Sequence, residues 1–248
     1  LLFVDGLSEK EELVTEIVGS KLGSIPLVGG SSGDGLRFKK TYIYFKGQML
    51  QDVAVVIFVT TYIPFKVFKT QHFNGSEVKF VITESQPEKR LVFEINGEPA
   101  AKAYAQAIGV AVEDLNSKIF AKYPLVLKVA DSYHVRSIQS SNADFSLKFY
   151  CAIENGLVLS LADKNDIIDS TLNYFKNIEE KLQEITCSLL FECVLRRLEV
   201  DEMSVEEKRK LYSIYSGING VGFHTYGEQY GSVHVNQTLT GVVFGPIR

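Results

Sequence analysis

The sequence is poor in the residues that carry metal and redox chemistry. Its 248 residues include no tryptophan, four histidines and three cysteines. The cysteines form no CxxC pair and lie in or beside apolar runs, which is typical of buried, reduced thiols in a cytosolic protein. No HExxH sequence occurs, and the nearest two histidines, His224 and His234, are separated by a segment broken by glycines. A zinc site is therefore only weakly indicated.

The chain also lacks an excess of positive charge and any long apolar run. Lysine and arginine number 26 against 30 aspartates and glutamates, so the net charge is −4. This balance excludes a broad basic surface and argues against a nucleic-acid partner. No run reaches the roughly 18 apolar residues that indicate a membrane span. Because 46% of the residues are hydrophobic and 23% are charged, the composition predicts a folded globular protein.

The pattern of apolar residues predicts a β-α-β opening. Residues 1–5 have the character of a buried strand, and a helix is expected from a capping box at Ser8 and Glu11 to about Gly23. Residues 25–28 predict a second strand. A crossover helix that joins two strands of one sheet makes those strands parallel, so we expect parallel pairing here.

Further along the chain, short strands alternate with hairpin turns and helices. Lys46-Gly47 and Asn155-Gly156 each predict a hairpin between the strands on either side, and Asn96-Gly97 predicts a tight turn before a helix that starts at Pro99. A long helix is expected over residues 163–186, and Ser204 begins another with a capping box. The sequence therefore predicts a mixed α/β (α+β) protein with two packed subdomains, in which mixed sheets are backed by helices.

The first candidate site is a glycine-rich loop, GGSSGDG at positions 29–35. It contains a GxSxG pattern, in which Ser31 would be a hydrolase nucleophile if a helix followed. The sequence predicts β structure there instead, and no Gly-Lys-Ser/Thr follows, so neither a serine hydrolase nor a P-loop is favoured. Two interpretations stay open: the glycines expose backbone N–H groups to a ligand, or they make a tight structural connection.

The second candidate site is a polar region near the end of the chain. Hydrogen-bonding side chains stand between glycines at 222–229 and 234–241, beside apolar strands. Such a density of polar groups either lines a pocket or knits a turn. The pair Arg196-Arg197 follows a buried run and also has two interpretations, since it could reach a ligand carboxylate or lie solvated on a helix.

Together these motifs resemble the FIST domain, a prokaryotic sensory module, over essentially the whole chain. The resemblance implies an N-terminal half at residues 1–98 and a C-terminal half at 99–248. FIST domains normally have a further N-terminal portion, and this chain opens directly on a strand without a methionine, so we expect sequence upstream to be missing. The motifs that carry the likeness are FVDGL at 3–7, VGGSSGDG at 28–35, Cys193 with Arg196-Arg197, GFHTYGEQ at 222–229 and HVNQTLTG at 234–241.

The resemblance implies a bacterial, cytoplasmic sensory domain and not an enzyme. It would bind a small molecule and signal to an output partner such as a histidine kinase or a diguanylate cyclase. The residues of these motifs are similar to those of the nitric-oxide-sensing NosP branch, which makes haem an expected cofactor. His234 would then be the axial iron ligand, and Arg196 would pair with a haem propionate. The ligand-binding candidates are Gly30, Ser31, Ser32, Gly33, Cys193, Arg196, Tyr226, Glu228, Asn236 and Thr238.

Two alternatives stay open beside haem-based sensing. The same module could sense an amino acid or a similar small metabolite without haem, and the scarcity of histidine favours this form. An enzyme that uses Ser31 or Cys193 as its nucleophile is the third hypothesis. In each case we expect the glycine loop and the C-terminal polar region to face one common cleft, because sites on sheets form where strands end.

Overall fold

The structure, a computed structural model, describes residues 1–129 and 132–246. Within these ranges the α-helices are α1 (Glu11–Leu22), α2 (Ala100–Ile108), α3 (Ser117–Lys122), α4 (Ile167–Leu182), α5 (Val194–Asp201) and α6 (Val205–Gly217). The strands up to the middle of the chain are β1 (Leu2–Val4), β2 (Val28–Ser31), β3 (Ile43–Phe45), β4 (Gln48–Leu50), β5 (Ala54–Val56), β6 (Phe65–Thr70), β7 (Phe73–Gln86), β8 (Leu91–Ile95) and β9 (Glu98–Pro99). The later strands are β10 (Leu125–Val129), β11 (Ser132–Arg136), β12 (Ile138–Ser141), β13 (Leu147–Phe149), β14 (Val158–Lys164), β15 (Cys187–Cys193), β16 (Gly220–Thr225), β17 (Glu228–Tyr230), β18 (Val233–Val235) and β19 (Leu239–Phe244).

The chain forms two compact units, and the first of them is discontinuous. The first unit comprises Leu1–His72 and the chain from Asp166 onward, and the second comprises Phe73–Asn165. Strands and helices occur in both, so the predicted mixed α/β (α+β) class with mixed sheets is confirmed. The boundary between residues 98 and 99, which both the turn with Pro99 and the family likeness indicate, stays a prediction; residues 247–248 of the second half lie outside the described residues.

In the first unit, a five-stranded sheet has the order β18-β17-β2-β1-β5. Strands β1 and β2 pair in parallel, as the β-α-β pattern predicted. Helix α1 makes the crossover and packs its partly buried Val14, Val18 and Leu22 against a small core of Leu2, Val4 and Leu27. The topology therefore places the glycine-rich strand β2 in the centre of this sheet.

The start of α1 differs from the prediction. The predicted capping box at Ser8 and Glu11 is wrong, because the helix begins at Glu11 after Lys10 and has no side-chain cap. The Ser8 hydroxyl instead donates a hydrogen bond of 2.8 Å to the carbonyl oxygen of Asp5, which closes the preceding turn. The Ser8 oxygen also accepts a long bond of 3.4 Å from the N–H of Lys10, the residue before the helix.

A second sheet of the first unit has the order β16-β15-β19-β6. Its central strand β15 pairs in parallel with β16 and antiparallel with β19. The apolar core beside it includes Phe68, Phe175, Leu190 and Val243. Helix α6 begins with the predicted capping box, in which Ser204 and Glu207 bond each other's backbone N–H groups. Strand β16 is at one edge of this sheet.

The predicted hairpin turn at Lys46-Gly47 and the predicted tight turn at Asn96-Gly97 both connect paired strands. Phe45 opposes Gln48 across the turn at Lys46-Gly47, and Ile95 opposes Glu98 across Asn96-Gly97. Both residues of each turn have positive φ, as a tight two-residue hairpin requires. These turns therefore follow directly from their sequence.

The second unit is built on an eight-stranded sheet whose main order is β11-β10-β14-β7-β8-β13-β12, with β9 beside β8. The predicted hairpin at Asn155-Gly156 is wrong. Strand β13 pairs with β12 and β8, whereas β14 pairs with β10 and β7. The turn itself forms, with Gly156 at φ 81°, but its N–H donates to Ile82 on β7. Long-range sheet order thus overrides the local turn signal.

The second unit has a largely apolar interior. Its core is formed by side chains such as Phe80, Ile95, Tyr104, Phe149 and Leu159, all at most 2% exposed. Among the described residues, no helix combines the length and the apolar character that crossing a membrane requires.

Candidate functional site

The glycine loop and the C-terminal polar region lie side by side because β2 and β17 are neighbouring strands, and the common cleft expected between them stays a prediction. Gly30 opposes Glu228 in an antiparallel register, and the N–H of Ser31 donates to the carbonyl oxygen of Gly227 at 2.8 Å. A Cβ on Gly30 would lie 2.4 Å from Cγ2 of Thr225. Glycine is therefore required here for close packing, which supports the structural interpretation of this residue.

The remainder of the loop folds around Asp34. Its carboxylate accepts the backbone N–H groups of Phe38, Lys39 and Lys40 and the hydroxyl of Tyr226. Burial alone would raise the pKa of Asp34, but these four donors hold the pKa well below its ordinary value. Because the Asp34 carboxylate already accepts these backbone N–H groups, this part of the loop is closer to a hydrogen-bonded structural turn than to a binding site for an anionic ligand.

Ser32 and Gly33, the other two candidates of the loop, follow strand β2. Ser32 accepts a long bond of 3.4 Å from the N–H of Gly6 and donates its own N–H to Val4. A Cβ on Gly33 would lie 3.0 Å from the ring of Tyr226. Both residues therefore make structural contacts, and their predicted role in ligand binding stays a prediction.

Glu228 is a fully buried carboxyl group that, among the described residues, has hydroxyl partners but no cation. The hydroxyls of Thr225 and Thr238 donate to its two oxygens. Burial raises its pKa to about 8, so the group is mostly protonated at neutral pH. Three of the candidate residues meet here, because the N–H of Cys193 donates to the carbonyl oxygen of Thr238 at 3.1 Å.

The two proposed nucleophiles have surroundings that do not activate them. Burial raises the pKa of the Cys193 thiol well above its ordinary value, and a thiolate is the reactive form. The Ser31 hydroxyl accepts a bond of 2.9 Å from Nε2 of Gln229, where a catalytic serine would contact a general base. The absence of enzymatic activity stays a prediction.

Next to Ser31 lies a second buried polar group, which we call the Asn236 cluster: Asn236, Gln229, His234, Ser31 and Gly227. Each of the four side chains is at most 5% exposed. Nε2 of Gln229 lies 2.9 Å from Ser31 Oγ and 3.4 Å from Nδ1 of His234. Within the described ranges, neither side-chain polar atom of Asn236 has a hydrogen-bond partner, and Gln229 Oε1 has none. The cluster is therefore incompletely satisfied.

The surroundings of His234 do not fit an axial haem ligand as they are arranged. Its Nδ1 faces the amide of Gln229, and a Cβ on Gly227 would lie 2.5 Å from its Nε2. Both ring nitrogens thus point at protein groups, whereas an iron ligand must direct a nitrogen lone pair at an open position. Gln229 is the residue that contacts Nδ1 of His234.

Arg196 belongs to a separate group, the Arg196 cluster: Arg196, Glu192, His72, Thr171 and Tyr215. Its Nε donates to Glu192 at 3.1 Å, its Nη2 donates to Thr171 at 2.8 Å, and its Nη1 lies 3.2 Å from Nδ1 of His72. Tyr215 donates its hydroxyl to Glu192 at 2.8 Å. Arg196 is 1% exposed, so it is neither solvated nor open to a haem propionate in this arrangement.

The sequence signals for these contacts were uneven. Glu192 and Arg196 are only four residues apart, but Glu192 lies on strand β15 and Arg196 on helix α5, so the spacing is not that of an ion pair on one helix. His72 and Thr171 are far away in the chain and carry no local signal. Gln229 stands inside a motif that the sequence had already marked. Its importance appears only once its contacts with Ser31 and His234 are seen.

Comparison with known proteins gives one curated relative and two family models. The chain is 21% identical over 280 residues to the uncharacterized protein MJ1623 of Methanocaldococcus jannaschii, an alignment that covers 98% of this chain and 53% of the relative. The chain thus spans about half the length of the curated relative it matches. No solved structure matches it.

The family models cover nearly the whole chain. The FIST N domain matches residues 1–98, and the FIST C domain matches residues 100–231. FIST domains are sensory domains that bind small ligands in signalling proteins. Both candidate segments, the glycine loop and the start of the C-terminal polar region, fall inside these matches. The chain belongs to the FIST family.

Proposed function

We propose that this domain senses a small polar metabolite, such as an amino acid, without haem, and that the ligand binds at the Asn236 cluster. The observation that carries the proposal is the set of three buried amide atoms without partners, two on Asn236 and one on Gln229. A buried polar atom left unsatisfied costs about 1–3 kcal/mol. A ligand that offers both a donor and an acceptor would recover this free energy.

The position of the cluster supports entry of a ligand and transmission of a signal. Strand β18, which carries His234, is the edge strand of its sheet, so it can move without breaking the inner pairs. The turn between β17 and β18 abuts helix α1, since a Cβ on Gly19 would lie 2.6 Å from Cα of Ser232. Displacement of this hairpin by a ligand would therefore move α1, and an output partner could respond to that movement.

Haem-based sensing of nitric oxide is the second form of the proposal. It is favoured by the burial of His234, which is 5% exposed. It requires the imidazole to turn away from Gly227 and Gln229, which the metabolite form does not. In either form we propose a cytoplasmic location and an output partner such as a histidine kinase or a diguanylate cyclase.

Two measurements on the purified chain separate the forms. Thermal unfolding is followed with a panel of amino acids and small carboxylic acids, each present in large excess. A ligand at 100 times its Kd adds about 2.7 kcal/mol of stability, which raises the midpoint by roughly 5–10 °C for a chain of this size. An absorption spectrum after expression with haem supplied is recorded in parallel.

The metabolite form predicts a midpoint shift with at least one compound and no Soret band. A Soret band that is lost in His234→Ala, with no shift from any metabolite, would establish the haem form instead. If neither signal appears, the sensing proposal fails for this chain.

A further inference from the structure

A pocket of about 200 Å³ lies between helix α6 and the edge strand β16. Two glycines of the strand, Gly220 and Gly222, line it and add no side chain to fill it. A Cβ on Gly222 would lie only 1.9 Å from the carbonyl oxygen of Leu190, so a larger residue would displace the neighbouring strand. This pocket shares no residue with the Asn236 cluster, and none of the ligand candidates from the sequence lines it.

The acidic residue of the pocket keeps one acceptor position open. A carboxylate offers about four lone-pair positions. On Glu192, Oε1 accepts from Arg196 and Tyr215, and Oε2 lies 3.3 Å from Nδ1 of His224. These are three contacts. The fourth lone-pair position of the carboxylate is therefore on Oε2, beside His224, which also lines the pocket.

The neighbouring basic groups do not occupy that position. Arg197 bonds Asp201 at 2.7 Å through Nε, and its Nη1 lies 3.0 Å from Nε2 of His224. Because arginine can only donate, Nε2 of His224 must accept, and its proton therefore sits on Nδ1 and faces Glu192. His224 therefore directs its Nδ1–H at Glu192 and its Nε2 lone pair at Arg197, and the positive charge of Arg197 is paired with Asp201.

Two aromatic side chains complete the site. Tyr212 and Tyr215 both line the pocket, with ring centroids 6.3 Å apart, and Tyr212 is 41% exposed at its rim. Aromatic faces attract cations, and a carboxylate beside them strengthens the preference. At about 30 Å³ for each water-sized group, the pocket holds roughly seven such groups.

We propose that this pocket binds a small organic ammonium ion, with the ammonium group against Glu192 Oε2 and the organic part against the tyrosines. The proposal is independent of the ligand at the Asn236 cluster, because the two sites use different residues. Failure at one site therefore leaves the other unaffected.

Isothermal titration calorimetry on the whole chain tests the charge requirement. The probes are benzylammonium chloride, benzyl alcohol and sodium benzoate, which are similar in shape and differ in charge. We expect benzylammonium to bind about tenfold or more tightly than benzyl alcohol. Equal affinity for the amine and the alcohol would overturn the proposal. So would tighter binding of benzoate, or no binding of benzylammonium at millimolar concentration.

Substitutions test whether benzylammonium binds in the pocket between α6 and β16. Tyr212→Ala should weaken benzylammonium binding about threefold to tenfold. Tyr44→Ala removes a tyrosine that is 69% exposed on another strand, so it is the matched control and should change nothing. Glu192→Gln should abolish the preference for the ammonium over the alcohol while circular dichroism confirms the fold. If Glu192→Gln does not fold, the Tyr212 pair decides, and unchanged binding in Tyr212→Ala refutes the assignment.

Discussion

The Arg196 cluster and the Asn236 cluster are both buried polar groups of the first unit, yet they differ in how completely they are satisfied. Every nitrogen of the Arg196 guanidinium contacts an oxygen or nitrogen of the cluster. Both side-chain polar atoms of Asn236 lack a partner among the described residues. Buried polarity alone therefore does not mark a ligand site. A guanidinium whose nitrogens are all bonded stabilises the fold, whereas side-chain atoms without partners offer hydrogen bonds to a ligand.

The largest loss of unfolding free energy is expected from a substitution at Arg196. Arg196→Met removes the cation from the buried Glu192 carboxylate and also removes the guanidinium contacts to Thr171 and His72. Breaking a buried ion pair in this way costs about 3–5 kcal/mol. Arg197→Met is the matched control, because that side chain is 40% exposed and its pair with Asp201 is worth at most about 1 kcal/mol. Urea unfolding curves of both variants make the comparison, and similar losses would contradict the structural role.

The next largest change in stability is expected to come from the titration of Glu228. Among the described residues this buried carboxyl group has no cationic partner, whereas Glu192 is paired with Arg196. Its pKa is raised from 4.5 to about 8 in the folded state. Between these values the folded chain holds a proton that the unfolded chain has released, so stability is greatest at low pH and falls as the pH rises towards 8. We expect a loss of the order of 3 kcal/mol between pH 5 and 8.

Glu228→Gln identifies the source of this pH dependence. The amide cannot ionise, so the variant should show a flatter profile of unfolding free energy over the same range. An identical slope in the variant and the unmodified chain would show that another group titrates.

A smaller effect is expected from one hydrogen bond of the Arg196 cluster. Thr171→Val removes the acceptor of Arg196 Nη2 and should cost about 1.5–3 kcal/mol, the usual range for a bond to a charged group. Thr15→Val is a close control: both threonines are buried in a helix and donate to the carbonyl oxygen four residues earlier. The difference between the two variants in urea unfolding measures the guanidinium bond. Equal losses would remove Thr171 from the cluster.

The sequence predicted much of the local structure and less of the sites. The parallel pairing of β1 with β2 and the turns at Lys46-Gly47 and Asn96-Gly97 follow from short patterns. The pairing of β13 and β14 does not, because strands distant in sequence compete for the same edges.

The same limit applies to the candidate residues. The motifs identified the segments that meet at β2 and β17. Their chemistry depends on contacts between distant residues. Buried Arg196 contacts His72, which lies 124 positions away in the chain. The missing hydrogen bonds of Asn236 depend on which side chains surround it. Neither feature is therefore visible in a local sequence pattern.

The central claim is that the Asn236 cluster is built for a ligand, and Asn236→Leu tests it most directly. An apolar side chain of similar shape removes two unsatisfied buried atoms, so without ligand the variant should be more stable by about 1–2 kcal/mol in urea unfolding. It should also lose the midpoint shift given by the metabolite that stabilises the unmodified chain. A variant that is less stable, and that still responds to the metabolite, would contradict the account.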